Sequence, residues 1–127
     1  MKSTPQRILI VDDDAMVAET LTLIFRKNGF DVRSCNSAQE GLQFARSFRP
    51  DLLVCDILMP TRDGLDLVAD VTRELPSCRI LVLTGFYADL AAVEKHSRNL
   101  PRPVGILTKP CQPSDLLRQA NAMLATA

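Results

Sequence analysis

Five residues able to do chemistry stand where apolar runs end. Asp12 and Asp13 follow Ile8-Leu9-Ile10-Val11, and Asp56 follows Leu52-Leu53-Val54-Cys55. Thr84 follows Ile80-Leu81-Val82-Leu83, and Lys109 comes one residue after Val104-Gly105-Ile106-Leu107-Thr108 has begun to turn polar. Short apolar runs bounded by turn residues read as strands buried on both faces. A carboxylate at the end of such a strand needs a partner, because burying an unpaired charge is costly. Three carboxylates brought to one edge repel one another, and a hard divalent cation relieves that repulsion. Oxygen ligands with no Cys or His among them favour Mg2+, with Mn2+ as the alternative, over zinc. Lys109 would offer a compact positive charge to phosphate oxygens, and Thr84 a hydroxyl donor. A metal, a lysine and a hydroxyl around one carboxylate form a phosphoryl-transfer site with Asp56 as nucleophile, working by positioning and charge neutralisation. Each residue alone has a plainer reading: a helix cap, a strand end, a solvated lysine. Their recurrence at successive strand ends is what carries the chemistry.

The elements that must position these residues can be read in order. Arg7 to Val11 is the first strand, and Asp14 can cap the helix that follows from Ala15 to Asn28. That helix carries Val17, Leu21, Ile24 and Phe25 at helical spacing and stops at Gly29. Phe30 to Cys35 reads as an edge strand. Ser37 caps a second helix with Ala38, Leu42, Ala45 and Phe48 inward, terminated before Pro50. After the Asp56 strand, Met59-Pro60-Thr61-Arg62-Asp63-Gly64 marks a turn, and Leu65 to Leu75 is a helix with Val68, Val71 and Leu75 inward. Arg79 to Thr84 is a strand, and Ala88 to Ser97 a short alanine-rich helix with few large anchors. Pro101 and Pro103 stiffen the connector to the last strand, Val104 to Thr108. Pro113 opens a final helix with Leu116, Leu117, Ala120 and Leu124 on its buried side.

Strand and helix alternate throughout, which predicts an α/β protein: a doubly wound five-stranded parallel sheet with helices on both faces. With the flavodoxin-like strand order 2-1-3-4-5, the order reverses between strands one and three. Ligands in such sheets bind outside the carboxyl ends of the strands at that reversal. Asp12 and Asp13 would then stand beside Asp56.

At 127 residues, 46% apolar and 24% charged, the chain is one domain, 1–127, with about the first six residues a flexible N-terminus. Its 15 basic and 15 acidic residues cancel, which argues against direct nucleic-acid binding. No apolar run reaches the roughly 20 residues of a membrane span, and the N-terminus lacks a signal peptide's apolar region, so a cytoplasmic protein with no membrane partner is expected. Cys35, Cys55, Cys78 and Cys111 show no metal-binding spacing, and His96 is the one histidine. They read as reduced thiols used as small hydrophobes, with Cys55 and Cys111 placed beside candidate site residues.

The motifs Ile10-Val11-Asp12-Asp13, Asp56, Met59-Pro60-x-x-Asp63-Gly64, Leu83-Thr84-Gly85 and Lys109-Pro110 resemble the receiver domain of two-component response regulators, over Arg7 to about Leu124. The resemblance implies that Asp56 accepts a phosphoryl group from a sensor histidine kinase or a histidine phosphotransfer protein. It implies Mg2+ bound directly by Asp13 and Asp56, through a water by Asp12, and by the backbone carbonyl of Leu58. Thr84 would be the switch hydroxyl, Lys109 would bind the phosphoryl group, and the Lys109–Pro110 bond would be cis. The domain would be regulatory rather than an enzyme, catalysing only its own phosphorylation and dephosphorylation and signalling to a downstream protein target. Ile106 stands where the family usually carries an aromatic switch residue. Leu58 and Phe86, two beyond the acceptor and two beyond the switch hydroxyl, would flank the approach of hydrolytic water.

Two other classes compete. A Mg2+-dependent phosphohydrolase of the haloacid-dehalogenase type needs an acid two residues after its nucleophile, where this chain has Leu58. A bare flavodoxin-like binding module has no use for Lys109 opposite three acids. Within the receiver reading, the end at Ala125-Thr126-Ala127 favours a stand-alone domain over a receiver fragment of a larger regulator.

Overall fold

The computed structural model describes residues 5–56, 64–84, 104–108 and 112–125, apart from the Leu65 side chain. Strands β1 (Arg7–Val11), β2 (Asp31–Cys35), β3 (Leu52–Asp56), β4 (Arg79–Thr84) and β5 (Gly105–Thr108) form one sheet in the order β2-β1-β3-β4-β5. Every neighbouring pair is parallel. This is the predicted doubly wound sheet, with its order reversing between β1 and β3.

Alternate residues of the strands feed two cores. Leu9, Val11, Leu53, Cys55, Ile80 and Val82 pack with the helices α2 (Ala38–Phe48) and α3 (Gly64–Glu74). On the opposite face Ile8, Ile10, Leu52, Val54, Leu81 and Leu83 pack with α1 (Ala15–Lys27) and with the last helix, Pro113–Ala125. A strand buried on both faces has no solvent side to mark with polar residues, hence the continuous apolar runs. β2, at the edge, keeps Asp31, Arg33 and Ser34 exposed.

The helix starts follow their sequence signals. Asp14 Oδ1 accepts hydrogen bonds from the Met16 and Val17 amides at 3.0 and 3.3 Å, satisfying first-turn donors that the helix itself cannot. Ser37 Oγ accepts from the Glu40 amide at 3.1 Å at the head of α2. Gly29, at φ 90°, turns the chain out of α1 in a conformation that side chains resist.

Some details differ from the sequence expectation. α1 ends at Lys27 with Asn28 as its cap, α3 runs Gly64–Glu74 rather than 65–75, and β2 and β5 begin one residue later than expected. On α1, Ala18 and Thr22 are buried beside Leu21 and Phe25, whereas Val17 and Ile24 are only partly covered. Small residues let the helix lie close to the sheet, and the Thr22 hydroxyl is satisfied by donating to the Ala18 carbonyl at 2.8 Å. On α3, Leu67 is fully buried and leads the packing. The helix expected over 88–97 and its proline connector lie outside the described residues, as do residues 59–63 of the expected turn, whose last residue, Gly64, begins α3.

Gly41 explains how α2 comes so close to the site end of β1. A Cβ there would stand 2.9 Å from Val11 Cγ2 and 3.1 Å from Leu67 Cδ2. Val11 is β-branched and stiff, so it cannot turn aside cheaply. Overpacking of this kind costs about 1–3 kcal/mol, against a helix-propensity gain for alanine of about 1 kcal/mol. Gly41→Ala is therefore expected to lower the urea midpoint, by a net ~1 kcal/mol at an unchanged slope. A midpoint at or above wild type would show that the space is there.

Candidate functional site

The strand register assembles the site. Val11 pairs with Cys55 across β1 and β3, so Asp12 and Asp56, each one residue further on, emerge side by side at the carboxyl edge. One oxygen from each of Asp12, Asp13 and Asp56 lies within 4.8 Å of the others. Among the described residues no other such group of possible metal ligands occurs. Asp12 is buried, Asp56 half-buried and Asp13 exposed. The cluster thus runs from the sheet edge out to solvent.

The three consecutive acids have separate duties. Asp12 Oδ1 accepts from the Asp14 amide at 2.9 Å, closing a side-chain turn, while Asp14 turns away to cap α1. The Asp12 amide donates to the Cys35 carbonyl at 3.2 Å, and the Asp12 carbonyl accepts from Asn36 Nδ2 at 3.0 Å. Sequence reasoning did not single out Asn36. Its only forward signal is the Ser-x-x-Glu pattern at Ser37 and Glu40, which marks residue 36 as the approach to a helix.

Asp56 pairs in register with Leu83, which places Thr84 one residue beyond the acid's level on β4. Thr84 is buried and pairs in register with Thr108 of β5. Ile106 pairs with Val82 and is partly buried against the α2–α3 core, continuing one row from Cys35 through Val11, Cys55 and Val82. Leu58, Phe86, Lys109 and Pro110 lie outside the described residues.

The thiols behave as core groups. Burial, aided by the Glu40 charge, pushes the Cys35 thiol up to about 12. Burial, aided by Asp51, does the same for Cys78. Both therefore stay protonated and unreactive near neutral pH. Cys55, fully buried beneath the acids, donates to the Asp56 carbonyl at 3.3 Å and to the Gly64 carbonyl at 3.9 Å, linking the end of β3 to the start of α3.

Chemically, the donor set is oxygen-only, crowded and partly solvated, which suits a hard divalent cation that keeps some of its waters. At 4.8 Å, two unit charges repel by roughly 1 kcal/mol in water-like surroundings and roughly 3.5 kcal/mol at an effective dielectric near 20. A bound cation reverses the sign of that interaction.

Residues 8–121 match the response regulator receiver domain family, and the chain belongs to it. It is 40% identical over 84 residues to the DNA-binding response regulator MtrA of Mycobacterium tuberculosis, covering 66% of this chain and 36% of that protein. A response regulator receiver protein of Anaeromyxobacter sp. is 38% identical over 106 residues, 80% of this chain and 44% of that one. The chain thus spans less than half the length of these curated relatives. Among solved structures, a CheY-like response regulator receiver domain protein from Methanospirillum hungatei superposes with a TM-score of 0.87 at 28% identity, over 95% of this chain and 94% of that one. The chemotaxis response regulator CheY4 of Vibrio cholerae shares the fold at TM-score 0.83 and 24% identity, over 94% of this chain and 99% of that one. No helix among the described residues is long and apolar enough to cross a membrane.

Proposed function

We propose that this receiver domain takes a phosphoryl group onto Asp56 from the phosphohistidine of a sensor histidine kinase or a histidine phosphotransfer protein. The observation that carries the reading is the meeting of Asp12, Asp13 and Asp56 at the point where strand order reverses. An Asp56 carboxylate oxygen attacks phosphorus, the phosphorus–nitrogen bond breaks, and the imidazole leaves with its electron pair. An acyl phosphate remains. Thr84 donates its hydroxyl to one phosphoryl oxygen and Lys109 pairs with another. Asp12, Asp13, Asp56 and the Leu58 carbonyl would hold Mg2+, or Mn2+ in its place. The cation would neutralise charge on the phosphoryl oxygens. The resulting state passes to a downstream protein target from a cytoplasmic domain, 1–127, that acts alone or within a longer regulator. It has neither nucleic acid nor a membrane as its own partner.

Acetyl phosphate tests this directly. With magnesium present, the protein should acquire an alkali-labile phosphoryl group that maps to Asp56, and with chelator present it should not. Labelling that ignores the chelator, or that maps elsewhere, would overturn the reading.

The lifetime of the acyl phosphate follows from two apolar neighbours in the sequence. Hydrolysis needs a water in line with the phosphorus–oxygen bond, and neither Leu58 nor Phe86 can hydrogen-bond one into place. Dephosphorylation should therefore be slow for a receiver. Leu58→Asn combined with Phe86→Glu should speed phosphate release roughly tenfold, by orienting the water. No acceleration would remove these two residues as the gate.

A further inference from the structure

We propose that Asn36 is a positioning residue for the acid cluster, its side-chain amide holding the peptide that joins Asp12 to Asp13. This rests on the reading that the cluster binds a divalent cation. β1 ends at Val11, and past that point the ladder no longer dictates the backbone. Two groups at the junction of β2 and α2 take over. The Cys35 carbonyl accepts the Asp12 amide at 3.2 Å, and Asn36 Nδ2 donates to the Asp12 carbonyl at 3.0 Å. Asp12 is thereby gripped on both of its peptide faces.

The second grip is the one that matters for Asp13. The Asp12 side chain is already fixed by its bond from the Asp14 amide, and its position is buried. Asp13 is exposed, so the direction of its carboxylate depends on how the preceding peptide plane is turned. Fixing the Asp12 carbonyl fixes that plane. Asn36 is itself held, because its backbone N–H donates to Glu40 Oε1 at 3.4 Å. A chain of contacts therefore runs from Glu40 through Asn36 to the peptide before the outermost acid. Only a donor serves at position 36, since a carbonyl oxygen accepts.

Such supporting contacts around ligands commonly tune metal affinity. Asn36 is exposed, so a moderate effect is expected. Asn36→Ala should weaken Mg2+ binding roughly three- to tenfold by calorimetric titration, at the low end for a supporting residue. Ser37→Ala is the control. It removes the cap of the same helix one residue away, so it should lower the melting temperature while leaving the Mg2+ dissociation constant unchanged. Wild-type affinity in Asn36→Ala overturns the proposal. An equal loss in Ser37→Ala also overturns it, because the effect then belongs to the helix and not to the amide. If the wild-type protein binds no Mg2+, the cation reading itself falls and the proposal with it.

Discussion

Asp56→Asn is expected to give a folded protein that takes up no phosphoryl group from acetyl phosphate in saturating magnesium. The substitution keeps the shape of the side chain, and residue 56 is only half-buried at the strand end, so the β3 ladder has no reason to change. It removes the proposed nucleophile, because an amide oxygen carries no full charge to donate to phosphorus. Incorporation should fall at least roughly a hundredfold, more than any other single change to the site. Asp13→Asn, by contrast, leaves the nucleophile in place and should slow labelling without abolishing it. The two variants separate the acceptor from the acids beside it. Wild-type labelling of Asp56→Asn would move the acceptor to another residue.

The parts of this site that the sequence made legible are those fixed by local rules. A four-residue apolar run ending in an acid reads the same way in the chain and in the sheet, because a strand buried on both faces has no other way to end at water. The Asp14 and Ser37 caps and the turn at Gly29 depend only on neighbouring residues. The meeting of Asp12 with Asp56 needed one non-local step, the strand order, which the alternation of elements nearly dictates.

What stayed hidden depends on close approach between elements distant in sequence. Gly41 looks like a weak point in a helix until α2 is seen against Val11 and Leu67, where nothing larger fits. Leu67 and Val68 are equally apolar neighbours, and both prove buried because α3 touches β3 and α2 together, widening its covered stripe. Asn36 is a polar residue in a loop, and loops are full of them. Its bond to the Asp12 carbonyl spans 24 positions of sequence and exists only because β2 and β1 are neighbours in register.

Magnesium should stabilise the protein, and Asp13→Asn should change that response in two opposite ways. A ligand that binds only the native state adds RT ln(1 + [L]/Kd), or about 2.7 kcal/mol at a hundred times Kd. For a domain of this size that corresponds to a rise in melting temperature of roughly 10 °C. Asp13 contributes repulsion when the cation is absent and attraction when it is present. Converting it to Asn removes both. Its exposure discounts the repulsion to about 1 kcal/mol or less, so the metal-free variant should melt a few degrees above the metal-free wild type. With saturating magnesium the order should invert, because the variant has lost a charged ligand and most of its response. Thermal melts of both proteins, with and without magnesium, give the four values needed. A variant that melts below wild type in chelator and still rises by the full amount with magnesium would take Asp13 out of the cation site, leaving Asp12 and Asp56 to account for binding.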